Sequence, residues 1–139
     1  MQNGDLSKDQ YGEVPVGGTV NVVDGVSISL GQPRTEELAG GPGEVAGSGI
    51  VVPVTLTNNS GTEISLSGFT TTASYGEGEG TPANEVPSAS KRVPAKLAAG
   101  KSVSVDRAFV VPAEGRGNVK VVVDLGAAYH SAVFRGAMG

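Results

Sequence analysis

Cysteine and tryptophan are absent from this chain, and histidine occurs once, at position 130. The first absence removes disulfides and thiolate metal sites, yet leaves the compartment open, since exported bacterial proteins often lack cysteine as well. A single histidine also excludes a two-histidine metal site. Basic residues are in deficit: ten Lys and Arg stand against fourteen Asp and Glu, for a formal net charge of −4. No basic stripe remains to neutralise phosphates, so nucleic acid is not an expected partner. No apolar run approaches the roughly 18 residues that span a bilayer. The opening Met1-Gln2-Asn3-Gly4-Asp5 has neither the basic nor the apolar region of a signal peptide. For an exported protein, the leader or anchor would therefore lie outside this sequence.

Glycine and proline are plentiful instead, at 22 and 8 among 139 residues, with 17% charged residues. That composition shifts the chain toward many turns and short strands. Valine dominates the apolar residues and the aromatics are three Phe and three Tyr, so the expected core is built of β-branched aliphatics that suit a pleated sheet. The length fits one domain with a single core.

Residues 1–15 are polar, mixed in charge and aperiodic, and read as a flexible tail or linker. Order is expected over residues 16–135, with a short tail at 136–139. Thr19-Val20-Asn21-Val22-Val23 and Val26-Ser27-Ile28-Ser29-Leu30 flank Asp24-Gly25, a two-residue turn signal whose central positions favour positive φ, and so predict a hairpin. Ile50, Val52, Val54 and Leu56 alternate with Val51, Pro53, Thr55 and Thr57. Pro53 has no N–H, which predicts an edge strand or a bulge that turns the missing donor outward. Further strands are expected at residues 62–67, 69–75, 103–111, 118–124 and about 130–134.

Arg107 shares the inward phase of Val103, Val105, Phe109 and Val111, which predicts a local bulge or an arginine snorkelling at the sheet margin. Residues 34–39 are the only candidate turn of helix. Residues 39–49 read as a flexible glycine-rich connection, and residues 76–94, rich in Gly, Pro, Glu and Ser, exceed most loops of compact domains. Such a segment is either functional or disordered. Seven or eight short strands between turn signals predict an all-β fold, a β-sandwich.

Three short motifs carry a family resemblance. Val14-Pro15-Val16-Gly17-Gly18-Thr19-Val20 loosely follows a Val-x-x-Gly-hydrophobic opening, and Thr57-Asn58-Asn59-Ser60 ends a central strand in Asn-x-Ser. Leu97-Ala98-Ala99-Gly100-Lys101-Ser102-Val103 reads Leu-x-x-Gly-x-Ser-Val ahead of a strand closing in Val111-Pro112. From about Val14 to Arg135 the chain resembles the bacterial immunoprotective extracellular, immunoglobulin-like superfamily, and within it a domain of unknown function found in lipoproteins and anchored surface proteins. The resemblance implies an immunoglobulin-like β-sandwich of a secreted, lipidated or membrane-anchored protein, extracellular or at the cell surface, with no catalytic residues. Residues 1–15 would then be the remnant of a linker behind the anchor. Residues 76–94 depart from the commoner relatives, which have a compact turn there.

Residue patterns with catalytic potential each meet a plainer reading. His130 has Asp124 six positions before it and many serines around, but no Gly-x-Ser-x-Gly elbow exists, so a strand-borne histidine at a sheet margin is expected. Gly41-Pro42-Gly43-Glu44-Val45-Ala46 has the G-x-G-x-x-A form of a dinucleotide fingerprint, but neither the strand before it nor the helix after it that the fingerprint requires is expected, and it reads as a linker. Glu77, Glu79 and Glu85 suit a hard cation in ligand type but fit no defined calcium-loop spacing, so a solvated loop is expected. Asn58-Asn59-Ser60 is formally a glycosylation sequon, although Asn in a hairpin turn explains itself, and Lys91-Arg92 reads as solvated surface.

These readings converge on a non-enzymatic, extracytoplasmic binding or spacer module without cofactor or metal, a monomer that recognises a protein or another cell-envelope component through loops and edges. The alternative is a small-ligand or cation-binding carrier protein of the envelope.

Overall fold

The computed structural model describes residues 13–43, 46–76, 80–86, 93–126 and 129–138. Their strands are β1 (Glu13–Pro15), β2 (Thr19–Val23), β3 (Val26–Leu30), β4 (Arg34–Leu38), β5 (Gly47–Asn58), β6 (Ile64–Ser65), β7 (Thr70–Tyr75), β8 (Thr81–Pro82), β9 (Asn84–Glu85), β10 (Lys96–Leu97), β11 (Lys101–Val110), β12 (Val119–Asp124) and β13 (Ala132–Gly136). One 3-10 turn, Ala113–Gly115, interrupts them. The first sheet runs β1-β13-β12-β7-β8, the second runs β2-β3-β5-β11-β9 with β4 also on β5, and β6 with β10 makes a small ribbon. The all-β expectation holds.

Period-2 alternation decides which side chains enter the core. β2, β3 and β12 alternate strictly between buried and more exposed positions. Val20, Val22, Ile28, Val52, Val54, Leu56 and Phe109 from the second sheet share one core with Ala73, Val119, Val121, Val123, Ala132 and Phe134 from the first. On the opposite face of the second sheet, Leu38, Val51, Val86 and Ala108 form a separate small cluster.

Asp24-Gly25 makes the hairpin between β2 and β3, with Gly25 at φ 84°. A side chain at Gly25 would meet Ser60 Cα at 2.6 Å, so both the turn and the close approach demand glycine.

Three expectations need correction. β5 is not an edge: β11 pairs along one side of it, and β3 followed by β4 pairs along the other. The β3 register ends at Leu30 opposite Val54 and the β4 register begins at Arg34 opposite Val51, so Pro53 falls in the gap between them. Gly31 N–H donates to Pro53 O at 2.8 Å across that gap. N–H and C=O of one strand residue point to the same side, so the missing donor faces the gap and no ladder bond is lost.

Residues 34–38 are strand, not helix. Their polar run hides the fact because β4 is a lateral strand with four of its five residues exposed, and charged residues on such an edge deter pairing with other chains. Nor does β11 bulge at Arg107. Its register with β5 is continuous from Lys101 opposite Asn58 to Val110 opposite Gly49, and the guanidinium points inward.

The termini extend the ordered frame beyond the expected span. Glu13–Pro15 pair in parallel with β13, and Val14 packs against the core. At the other end Met138 is fully buried and its N–H donates to Arg116 O at 2.8 Å.

Candidate interaction surface

The long connection between β7 and β11 is anchored at its middle. Thr81–Pro82 pair with β7 and Ala83 N–H donates to Ala73 O at 2.9 Å. Asn84–Glu85 then pair with β11, and Val86 N–H donates to Ala108 O at 2.9 Å. Residues 80–86 thus bridge one sheet to the other. Pro82 sits opposite Ser74, a site whose strand neighbours carry the ladder bonds, so its missing N–H costs nothing. Val86 is fully buried in the smaller cluster. The reading of residues 76–94 as one loop is corrected for this part; residues 77–79 and 87–92, with Glu77, Glu79, Lys91 and Arg92, lie outside the described residues.

The bridge also accounts for Arg107. Arg107 Nη2 donates to Glu85 Oε2, and Arg107 Cζ stands 5.4 Å from the centre of the Phe69 ring. The two charged side chains keep 16% and 26% of their exposure, so the pair sits at the rim of the core and retains some solvent contact. A cation over an aromatic face and beside a carboxylate is well accommodated there. Glu85 is therefore committed to an ion pair, and no group of three potential metal-ligating side chains occurs among the described residues.

His130 and Asp124 have separate roles. Asp124 Oδ1 accepts a hydrogen bond from Ser131 Oγ at 2.7 Å. The His130 side chain is exposed, while its backbone N–H donates to Val22 O at 2.9 Å and ties the approach to β13 onto the edge strand β2.

The formal sequon is internal structure. Asn58 is fully buried, and its Nδ2 donates to Thr62 O at 2.8 Å and to Leu97 O at 2.9 Å. Its Oδ1 accepts from Ser60 N–H at 3.0 Å and from Ser60 Oγ at 2.6 Å. Both amide hydrogens are used, which leaves no site for a sugar. Asn58 O accepts from Gly100 N–H at 2.6 Å, so the Asn-x-Ser and Leu-x-x-Gly-x-Ser-Val motifs meet and fasten two turns together. Gly41, Pro42, Gly43 and Ala46 belong to the connection of the β4–β5 hairpin, where a strand rather than a helix follows; Glu44 and Val45 lie outside the described residues.

Among the surface recesses lined by described residues are two of similar size. One of about 280 Å³ is lined by Thr72, Ala73, Ser74, Pro82, Lys120 and Val122 beside the bridge. The other, about 310 Å³, is lined by Thr35, Glu36, Glu37, Ser48 and Arg116. Arg116 is held there by bonds to Ser48 Oγ and, at 3.1 Å, to Val111 O. Beside it, hydrogen bonds to Glu36 and then to Asp106 hold the Arg34 guanidinium above its ordinary pKa.

Two sheets around a valine-rich core, joined by an anchored bridge, describe an all-β domain. A family profile described as Domain of unknown function (DUF4232) matches residues 26–133. The chain belongs to that family. The match leaves out β1, β2 and the opening Val14–Val20 motif. The crystal structure of the YjhA protein from Bacillus subtilis aligns over 87% of this chain and 97% of that chain, with a TM-score of 0.65 at 13% identity. At that identity the likeness is one of fold. No curated protein matches the chain.

Proposed function

We propose that this domain is a non-enzymatic binding or spacer module of a bacterial secreted, lipidated or membrane-anchored protein, its two sheets forming an immunoglobulin-like β-sandwich. The bridge is the observation that carries this reading. Residues 80–86 are pinned to both sheets by ladder bonds, by buried Val86 and by the Glu85–Arg107 pair. Such fixed points give the domain a frame whose geometry is already decided, the property that scaffolds use to display recognition loops. The carrier alternative calls for a concave, enclosed site, whereas recesses of about 280 and 310 Å³ lie at the small end for ligand pockets and open to solvent. A monomeric module meeting an envelope component fits these surfaces better.

The test replaces residues 87–92 with a Gly-Ser segment of equal length and leaves residues 80–86 untouched. The immobilised parent should retain a component of a bacterial envelope extract that the replaced form does not, with equal melting temperatures. Retention of nothing by the parent, or equal retention by both, would overturn the reading.

A further inference from the structure

Among the described residues a single strand pair is parallel, and it joins the first of their strands to the last. Glu13, Val14 and Pro15 of β1 lie opposite Val133, Phe134 and Arg135 of β13. Every other pairing of described strands is antiparallel. The chain therefore enters at one end of this pair and leaves at the other. In an antiparallel terminal pair both would lie at the same end, where a pull on the two opens the bonds one after another. In the parallel pair the same pull drags the strands past each other along their length and loads the bonds together.

Both strands are seated to resist such a pull. A parallel ladder takes the N–H and C=O of alternate residues of a strand. Pro15 has no N–H, and its carbonyl accepts from Gly18 N–H at 2.9 Å, so Pro15 holds the outward position and Val14 turns both its backbone groups to β13. The side chains of Val14 and Val16 pack against the core. A side chain at Gly18 would meet Pro15 O at 3.0 Å, so the turn that follows β1 is closed tightly onto it. On the other strand, β13 lies between β1 and β12 with Ala132 and Phe134 fully buried. Beyond it Met138 is buried, and its N–H donates to Arg116 O at 2.8 Å. Arg116 is itself bonded to Val111 O and Ser48 Oγ, which ties the leaving chain to the second sheet.

We infer that β1 and β13 form a shear clamp, through which the domain stays folded under tension on its tether. A pull on the entering chain against any point toward the Gly136 end loads the pair in this way. The clamp thus preserves a capture surface on the domain as well as the length of a spacer. Only the origin of the tension rests on the reading of the domain as a module of an anchored protein. The clamp itself is measured without a partner, so its failure and a failure of capture appear in separate assays.

Forced unfolding is governed by the unfolding rate, so the lifetime under a constant load reports the clamp. Single-molecule tweezers measure it on the full chain, and the absence of cysteine allows a handle at one introduced thiol. Handles on the two chain ends load the pair in shear. Handles on the N-terminus and on Thr70→Cys, an exposed position on β7 at the end of the first sheet where the chain enters, pull β1 sideways and open it bond by bond. At equal force the domain should survive at least about ten-fold longer in the first geometry than in the second. Val14→Pro removes the N–H that β1 gives to β13 and should shorten the first lifetime about ten-fold. The second should hardly change, because bonds broken in series do not share the load. Equal lifetimes in the two geometries, a longer lifetime in the second, or a first lifetime that Val14→Pro leaves intact would overturn the inference. Should Val14→Pro not fold, the two geometries of the parent decide alone.

Discussion

Asn58 and Arg107 both send a polar group toward an aliphatic core, and the chain provides for them in different ways. Asn58, at the end of β5, is fully buried and saturated by neutral partners from two turns. Arg107, in the middle of β11, keeps 16% of its side-chain exposure and relies on Glu85 and the Phe69 ring. Leu97 O, the buried partner of the amide, loses its hydrogen bond outright if the amide is removed, because water cannot reach it. Partners of the guanidinium at the rim can turn to solvent. Removing a buried neutral group should therefore cost more than breaking the ion pair, the reverse of what charge alone would suggest.

The largest effect is expected at Asn58. Asn58→Leu keeps the approximate volume but strands the buried Leu97 O without its donor, while Thr62 O keeps the Ser60 hydroxyl, at about 2 kcal/mol and a fall of about 8 °C in melting temperature. Asn58→Asp should be worse, since a carboxylate would face the same two carbonyl oxygens. Chemical denaturation of both variants ranks them. If Asn58→Leu costs no more than an ordinary surface change, the hub assigned to Asn58 is wrong and the comparison with Arg107 collapses.

The middle effect belongs to the ion pair. Glu85→Gln should destabilise by about 1–2 kcal/mol, because it leaves an inward guanidinium beside a neutral amide. Combining Glu85→Gln with Arg107→Met should return the protein to within about 1 kcal/mol of the parent, since removing both charges also removes the desolvation cost. A double-mutant cycle in urea measures the coupling. If the double variant is as unstable as Asn58→Leu, the pair is indispensable to the frame.

The same contrast explains what the sequence made legible. β2 and β3 lie where the alternation and Asp24-Gly25 place them, and the inward phase of Ile50, Val52, Val54 and Leu56 is the observed one, because a one-residue slip would turn every buried side chain outward. Asn58 stood in a short motif whose turn could be read, although its burial could not. The ion-pair role of Glu85 and the strand β9 could not be read: a two-residue strand has no period, and its pairing with β11 is dictated by a docking that only the assembled sheets provide. β4 was missed for a related reason, its apolar support coming from β5 and not from its own sequence. Arg107 announced a conflict in phase, and its resolution lay 22 residues away in a segment without periodicity.

His130 supplies the smallest effect and separates side chain from backbone. Its side chain is exposed, and its N–H holds Val22 O at 2.9 Å. His130→Ala preserves that donor and should change stability by no more than about 0.5 kcal/mol. His130→Pro deletes it and leaves the carbonyl of a buried valine on β2 without its partner, at about 1–2 kcal/mol. Thermal melts of the two variants measure the difference, and capture of an envelope component should be the same for His130→Ala as for the parent. A loss of capture in His130→Ala with stability intact would give the imidazole a role in recognition. Equal stability of the alanine and proline variants would show instead that the edge of β2 does not depend on this bond. Either outcome would revise the rule drawn from Asn58 and Arg107, that a polar group matters here in proportion to how completely its partners are cut off from water.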